Sequence, residues 1–373
     1  MGIMGSALSL SPGFIDQTKT PGILFGRFLP DHFCLKEGSC FLRSRLCMAQ
    51  QGQDVLGLSQ SGATVRYQKI ELDFLTLYHP KIAGKTGSRR FAVYCEQRIS
   101  MDTNYSLNSL FSLEGKTALV TGGSSGLGLI MAKAFIQNGV KVVISSRRRE
   151  KCDLALAELR KYGDCEAVIA DVTESADRSR LLEEVEQHLG GLSILVNNAG
   201  ANWGAPLAEY PDEGFEKVIS TNLNAVFALT RDAVPLLKKS ATADNPSRIV
   251  NIGSMDGLHV PVVQRVPTFA YSASKAALHH LTRALAVELG PEHITVNAVA
   301  PGFFESRMTD YIFEHYLEDI QADCPLRRIG QAEEIAGVVI YLASRAGNYT
   351  NGAVIPVDGG TNVSKGIKPW DER

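Results

Sequence analysis

Lys116-Thr117-Ala118-Leu119-Val120-Thr121-Gly122-Gly123-Ser124-Ser125-Gly126-Leu127-Gly128 is the stretch on which the fold turns. A short apolar run of strand character ends in a glycine-rich turn, and a segment of helical period begins near Leu127. Glycines at such a junction let the backbone curl tightly and bring its N–H groups, with the positive end of the following helix, against a pyrophosphate. The spacing is G-x-x-x-G-x-G rather than G-x-G-x-x-G, and no Lys-Ser or Lys-Thr follows the last glycine, which excludes a P-loop. Gly122, Ser124, Ser125, Gly126, Leu127 and Gly128 are therefore candidates for holding a dinucleotide; a glycine-rich turn without a ligand is the plainer alternative.

Downstream, apolar runs of strand length recur: Val140 to Ile144, Ala167 to Ala170, Ile194 to Val196, Ile249 to Ile252, Thr295 to Val299 and Ala353 to Val357. Longer segments of helical period separate them, among them Ser175 to Leu189 and Phe215 to Leu237. Short apolar strands alternating with helices imply a parallel sheet covered on both faces. The fold predicted is α/β: a doubly wound, parallel, seven-stranded sheet of Rossmann type occupying residues 106–373, with an irregular N-terminal extension over 1–105.

The extension differs in kind. The chain of 373 residues has 38 Lys+Arg against 40 Asp+Glu. Residues 1–100 hold 12 basic and 7 acidic residues and show no sustained period, so the remainder is acidic. Disordered or leader-like sequence is expected there, with Met101 serving as an alternative start. Organelle import through residues 1–50 and a myristoylation pattern at Met1-Gly2-Ile3-Met4-Gly5-Ser6 are the competing readings. The near-neutral total argues against a nucleic-acid partner, and no apolar run is long enough to span a membrane. Seven cysteines without a CxxC pair suggest neither a disulfide framework nor a zinc site, which fits a reducing, cytoplasmic setting. Adjacent His279 and His280 point to different helix faces, so no metal is expected.

An acidic residue at the end of the second strand would select NAD. Here Val140–Ile144 runs into Ser145-Ser146-Arg147-Arg148-Arg149, which offers hydroxyl and guanidinium groups to the 2′-phosphate of NADP. Ser146 and Arg147 are the contacts expected, with Arg148 and Arg149 on a solvated face. Asp171-Val172 after the third strand is placed to meet adenine, and Asn198-Ala199-Gly200 after the fourth ends at the same sheet edge. Tyr271 and Lys275, at i and i+4, share one face of a helical stretch running to about Leu289. A fixed ammonium favours the ionised phenol, drawing its pKa toward neutrality for general acid/base work. Ser254, after the fifth strand, is placed to hold a carbonyl oxygen.

Gly122/Gly126/Gly128, Asn197-Asn198-Ala199-Gly200, Ser254, Tyr271-x-x-x-Lys275 and Pro301-Gly302 occur in the order and spacing of the short-chain dehydrogenases/reductases, and from about Phe111 to Val363 the chain resembles that family. The resemblance implies an NADP-dependent oxidoreductase. In it Tyr271 donates a proton to the carbonyl oxygen, Ser254 hydrogen-bonds that oxygen, and Lys275 binds the nicotinamide ribose and lowers the Tyr271 pKa. Asn222 holds a water in the proton relay. Pro301, Gly302, Phe304 and Ser306 then meet the nicotinamide, Ser306 standing where Thr is usual. Asn202-Trp203-Gly204-Ala205, Pro235 to Ala241 through Asn245-Pro246, and Ser306-Arg307-Met308-Thr309 are most similar to 3-oxoacyl-carrier-protein reductases of the rhamnolipid-biosynthesis type.

The implied substrate is a 3-oxoacyl thioester or polyketide-like β-ketone, free or carrier-bound. Oxidative alcohol dehydrogenation and a non-catalytic NADP sensor are the rival readings. The loop Leu258 to Pro267 is longer than the family's and borders the substrate. The aromatic-rich segment 303–325 reads as a lid or as ordinary helix packing. Arg327 and Arg328 read as a solvated pair or a carrier-protein contact. The region around Thr350-Asn351-Gly352 and Val357 to Gly360 is where relatives form homo-dimers and homo-tetramers.

Overall fold

The computed structural model describes residues 104–261, 267–306 and 309–364. The expectations for residues 1–103, including the Met1–Ser6 pattern, lie outside the described residues. So do those for 262–266 of the long loop and for Arg307 and Met308.

A short helix α1 (Leu107–Phe111), capped by the Ser106 side chain, leads into β1 (Thr117–Thr121). Then follow α2 (Gly126–Gln137), β2 (Lys141–Ser146), α3 (Arg149–Leu159), β3 (Cys165–Ile169), α4 (Ser175–Leu189) and β4 (Ile194–Asn197). The second half runs α5 (Asp212–Ile219), α6 (Ala225–Ser240), β5 (Ser247–Ile252), α7 (Phe269–Leu289), β6 (Ile294–Pro301), α8 (Asp310–Asp323), α9 (Ala332–Ala343), β7 (Val354–Val357) and α10 (Thr361–Ser364). All seven strands fall on the apolar runs read from the sequence, with ends moved by one or two residues, and every pairing is parallel.

The strand order is β3-β2-β1-β4-β5-β6-β7. It reverses direction between β1 and β4, whose registered pairs include Ala118↔Ile194 and Val120↔Val196. Helices leaving these two strands go to opposite faces, so a crevice opens at their C-terminal ends.

Alternation along the strands divides the core in two. Ala118, Val120, Val142, Ile144 and Val196 pack on one face with Met131 and Phe135 of α2 and Ile335 and Val339 of α9. Leu119, Val143, Leu195 and Ile249 pack on the other with Leu181 and Val185 of α4 and Leu229 and Ala233 of α6. At the edge of the first layer Arg248 is fully buried. Its guanidinium donates to the Leu342 and Ser344 carbonyls at the end of α9, to Pro246, and to Asn348 Oδ1 at 2.6 Å. A cation there complements the negative end of the helix, although burial pulls its pKa down to about 10.

In one place the structure departs from the periodicity. The helical segment read as Phe215 to Leu237 is two helices, α5 and α6, joined by a π turn over Ser220–Asn224. The apolar period runs through this turn without a break, whereas the bonds made by the Asn222 side chain are long-range and leave no local trace.

Candidate active site

The crevice is built on Thr121. From the last position of β1 its hydroxyl donates to the Val196 carbonyl and accepts from the backbone N–H of Asn198 and Ala199, each at 3.0 Å. Asn198 reciprocates through Nδ2, which donates to the Thr121 carbonyl at 2.8 Å. The glycine turn and the Asn198-Ala199-Gly200 loop are thereby fixed against each other. Gly122 has φ +66°, a conformation costly for any other residue, and a Cβ there would stand 2.8 Å from Asn198 Nδ2. A Cβ on Gly128 would come within 2.4 Å of the Gly122 carbonyl oxygen, so the first turn of α2 lies flat on the loop. The Leu127 side chain is turned toward the core. The half-exposed Ser124, Ser125 and Gly126 then form a cradle of backbone at a helix N-terminus, which suits a pyrophosphate.

Ser146 ends β2, and Arg147 follows it. The Arg147 side chain is 58% exposed and reaches Asp171 Oδ2 only at 3.5 Å, so it is available to a phosphate. Burial pushes the Asp171 carboxyl up, but hydrogen bonds from Thr173 and the nearby Arg147 outweigh it and hold the group low. Val172 beside it is buried. The backbone cradle, the exposed Arg147 guanidinium and Asp171-Val172 together fit a phosphorylated dinucleotide.

The second half of the crevice gathers the reactive groups. Ser254 follows β5 and is buried, its hydroxyl accepting from the Asp256 N–H at 3.1 Å. Tyr271 and Lys275 stand on the first turns of α7. Lys275 is buried; its ammonium donates to the Ile252 carbonyl at 2.7 Å and lies 5.4 Å from the Tyr271 ring centroid. Burial pulls the Lys275 pKa down to about 8, against the opposing pull of Asp256. The Tyr271 phenol moves the other way from the sequence expectation. Burial raises its pKa and Asp256 adds to the rise, while a hydrogen bond with Ser254 opposes it. In this structure desolvation dominates and favours the protonated phenol, while one N–H of the Lys275 ammonium is engaged by the Ile252 carbonyl.

Asn222, fully buried, ties the loop after β4 to α7. Its Oδ1 accepts from Ala201 N at 2.8 Å, and its Nδ2 donates to the Ala201 carbonyl at 2.9 Å and to Ser274 Oγ at 3.0 Å. Ser274 in turn donates to the Tyr271 carbonyl at 2.7 Å. The π turn delivers Asn222 to this position, in keeping with the frequency of such turns at functional sites. Pro301 ends β6, and Gly302 packs so closely that a Cβ would meet Asp358 at 2.7 Å.

The Phe304 ring is buried against Gly330 and packs with the core. Ser306 is held by Thr309, whose hydroxyl accepts from Ser306 N at 3.0 Å and donates to the Phe304 carbonyl at 2.8 Å.

Ser254 and Tyr271 open onto a cavity of about 160 Å³. Its apolar wall includes Met255 and, from α8, Ile312, Tyr316 and Ile320. The segment read as a lid or as helix packing contributes to the wall of this cavity, and α8 is kinked at Tyr316 (φ −138°, ψ 17°). Arg328 forms a bidentate ion pair with Glu334 at 2.5 and 2.9 Å, and His279 is buried rather than paired with His280 for metal binding. Among the described residues no group of side chains is arranged for a metal, and no helix is long and apolar enough to cross a membrane. Thr121 and Ser274 were given no role from the sequence, and Thr309 only a place in a matching stretch, because hydroxyls at strand and helix ends are commonplace. Asn202 and His259, which also line the cavity, lie in the Asn202–Ala205 stretch and the long loop named from the sequence, whereas Asp256 was not singled out.

The chain is similar to known reductases. The family described as Enoyl-(Acyl carrier protein) reductase matches residues 122–362. The rhamnolipids biosynthesis 3-oxoacyl-[acyl-carrier-protein] reductase of Pseudomonas aeruginosa is 46% identical over 259 residues, covering 69% of this chain and 100% of that protein. Among solved structures, the Pseudomonas aeruginosa RhlG/NADP active-site complex is 46% identical with a TM-score of 0.66, covering 68% of this chain and 99% of the other. An actinorhodin polyketide ketoreductase with NADPH is 33% identical with a TM-score of 0.62, over 66% of this chain and 97% of its own.

Proposed function

The chain belongs to the short-chain dehydrogenase/reductase family, and from that premise we propose that it is an NADPH-dependent reductase turning the ketone of a 3-oxoacyl thioester or polyketide-like β-ketone into a secondary alcohol. The observation that carries the reading is the convergence of Ser254 and Tyr271 on one cavity, with Lys275 buried behind the phenol.

When bound, NADPH supplies the hydride. Gly122, Ser124, Ser125, Gly126 and Gly128 would hold its pyrophosphate; Ser146 and Arg147 its 2′-phosphate; Asp171 and Val172 its adenine. Asn198, Ala199 and Gly200 line the crevice floor, and Pro301, Gly302, the Phe304 backbone and Ser306 border the nicotinamide. The Ser254 hydroxyl orients the substrate carbonyl oxygen. Tyr271, kept protonated by burial, gives that oxygen its proton, which suits the reductive direction. Lys275 engages the ribose and stabilises the phenolate left behind. Asn222 positions Tyr271 through Ser274 and, as the resemblance implies, would hold a water in the relay that restores the proton.

Support for the substrate class comes from the 3-oxoacyl-carrier-protein and polyketide reductases among the relatives. A carrier-bound acyl group, a homo-dimer or homo-tetramer joined near β7, a cytoplasmic setting, and a catalytic domain separable from residues 1–105 belong to the same reading. The test is oxidation of NADPH followed at 340 nm with acetoacetyl thioesters of CoA and carrier protein. Turnover of either is expected; turnover of neither, with simple ketones accepted, would refute the substrate class.

A further inference from the structure

Beside Ser254 and Tyr271, the cavity is lined by polar as well as apolar side chains, α8 contributing Asp319 and Asp323 as well as Ile312, Tyr316 and Ile320. Asn202, Asp256 and His259 line the same space. Asn202 Oδ1 and His259 Nδ1 are buried without a hydrogen-bond partner. Asp256 uses its backbone N–H on Ser254 and its carbonyl on Ser272, while its carboxyl accepts no hydrogen bond among the described residues. Burial pushes that carboxyl up in pKa, and His259 and Lys275 draw it down.

Leaving one buried acceptor unpaired costs about 1–3 kcal/mol, and buried polar atoms are satisfied in the great majority of cases. Two such atoms, beside a carboxyl that accepts no hydrogen bond among the described residues, are therefore arranged for a ligand that brings donors to this cavity. An unadorned alkyl chain would press methylenes against them and leave all three unpaired. A hydroxyl both donates and accepts, so it can serve either acceptor oxygen and either tautomer of His259.

We propose that Asn202, Asp256 and His259 form a specificity subsite for a hydroxyl or enol hydroxyl carried by the substrate in addition to the ketone being reduced. The preferred substrate is then an oxygenated, polyketide-like β-ketone rather than a plain 3-oxoacyl chain. This rests on the reduction proposed above and narrows its substrate. The subsite is specific to substrate recognition: a site built to hydrogen-bond a hydroxyl rejects an analogue lacking it far more strongly than an apolar pocket rejects an extra one.

The full-length protein is assayed with NADPH on two N-acetylcysteamine thioesters, 3-oxohexanoyl and 5-hydroxy-3-oxohexanoyl, and the ratio of kcat/KM values is compared across variants. The native protein is expected to favour the hydroxylated thioester by about 100-fold or more. Asp256→Ala and Asn202→Leu are each expected to reduce this ratio at least tenfold, as is His259→Phe. The ratio is read because Asp256 also faces Lys275 and Tyr271, so that general losses of rate cancel. A native ratio near one, or one unmoved in every folded variant, overturns the subsite while the reduction reading stands. Failure to oxidise NADPH with either thioester overturns both.

Discussion

Replacing Asn222 with alanine removes the bridge that ties the loop after β4 to α7. The side chain makes three hydrogen bonds, two to the Ala201 backbone and one to Ser274. At about 1 kcal/mol net for each, with the Ala201 groups left poorly paired, the loss comes to about 3–4 kcal/mol. In a domain of this size that lowers Tm by roughly 10 °C. The same substitution releases Ser274, which holds the Tyr271 carbonyl. A phenol displaced by about 1 Å loses on the order of 100-fold in turnover, so kcat is expected to fall by about 10- to 100-fold at temperatures where the variant is folded. Urea denaturation and steady-state oxidation of NADPH with an acetoacetyl thioester measure the two effects. A variant within about 0.5 kcal/mol of native stability and with native kcat would show that the Asn222 bridge neither supports the fold nor positions Tyr271.

Arg147→Ala removes the guanidinium available to a 2′-phosphate. Charge-assisted hydrogen bonds of about 1.5–3 kcal/mol put the drop in preference for NADPH over NADH at about 10- to 100-fold, readable by fluorescence titration of both nucleotides; an unchanged preference refutes the assignment. In Gly128→Ala the new Cβ would sit 2.4 Å from the Gly122 oxygen, and overpacking of about 1–3 kcal/mol should weaken NADPH binding at least tenfold. Native affinity in that variant would mean that the cradle yields. His279 is buried and its pKa is pulled by burial from 6.5 to about 4. The unfolded chain therefore takes up a proton that the folded one refuses. Stability is undiminished above about pH 6.5, falls between 6.5 and 4, and is reduced by about 3 kcal/mol below that. Denaturation midpoints of the native protein and His279→Leu at pH 7 and 4.5 should show less acid sensitivity in the variant, and equal sensitivity contradicts the argument.

The strands were legible because a sheet buried on both faces needs apolar runs, and Thr117 to Val120 or Ile249 to Ile252 can hardly be anything else. Chemistry with a local spacing was legible for a similar reason: Tyr271 and Lys275 are one helical turn apart, and the glycine turn needs its glycines in order. Interactions that join distant segments left no such trace. The π turn at Asn222, the Thr121 hydroxyl bridging β1 to the loop after β4, and Arg248 capping α9 each depend on partners dozens of residues away. The Tyr271 pKa could not be read at all from Lys275 alone. Its direction follows from burial and from Asp256, neither of which is visible in the Tyr-x-x-x-Lys spacing.

The central claim is that the Tyr271 hydroxyl delivers the proton, and Tyr271→Phe tests it most directly. The variant removes one oxygen and leaves the ring, the cavity and the nucleotide crevice in place. With NADPH and an acetoacetyl thioester the account expects kcat to fall by at least about 100-fold, the low end of the range for a positioned general acid, while NADPH still binds. Turnover at the native rate in Tyr271→Phe would contradict it.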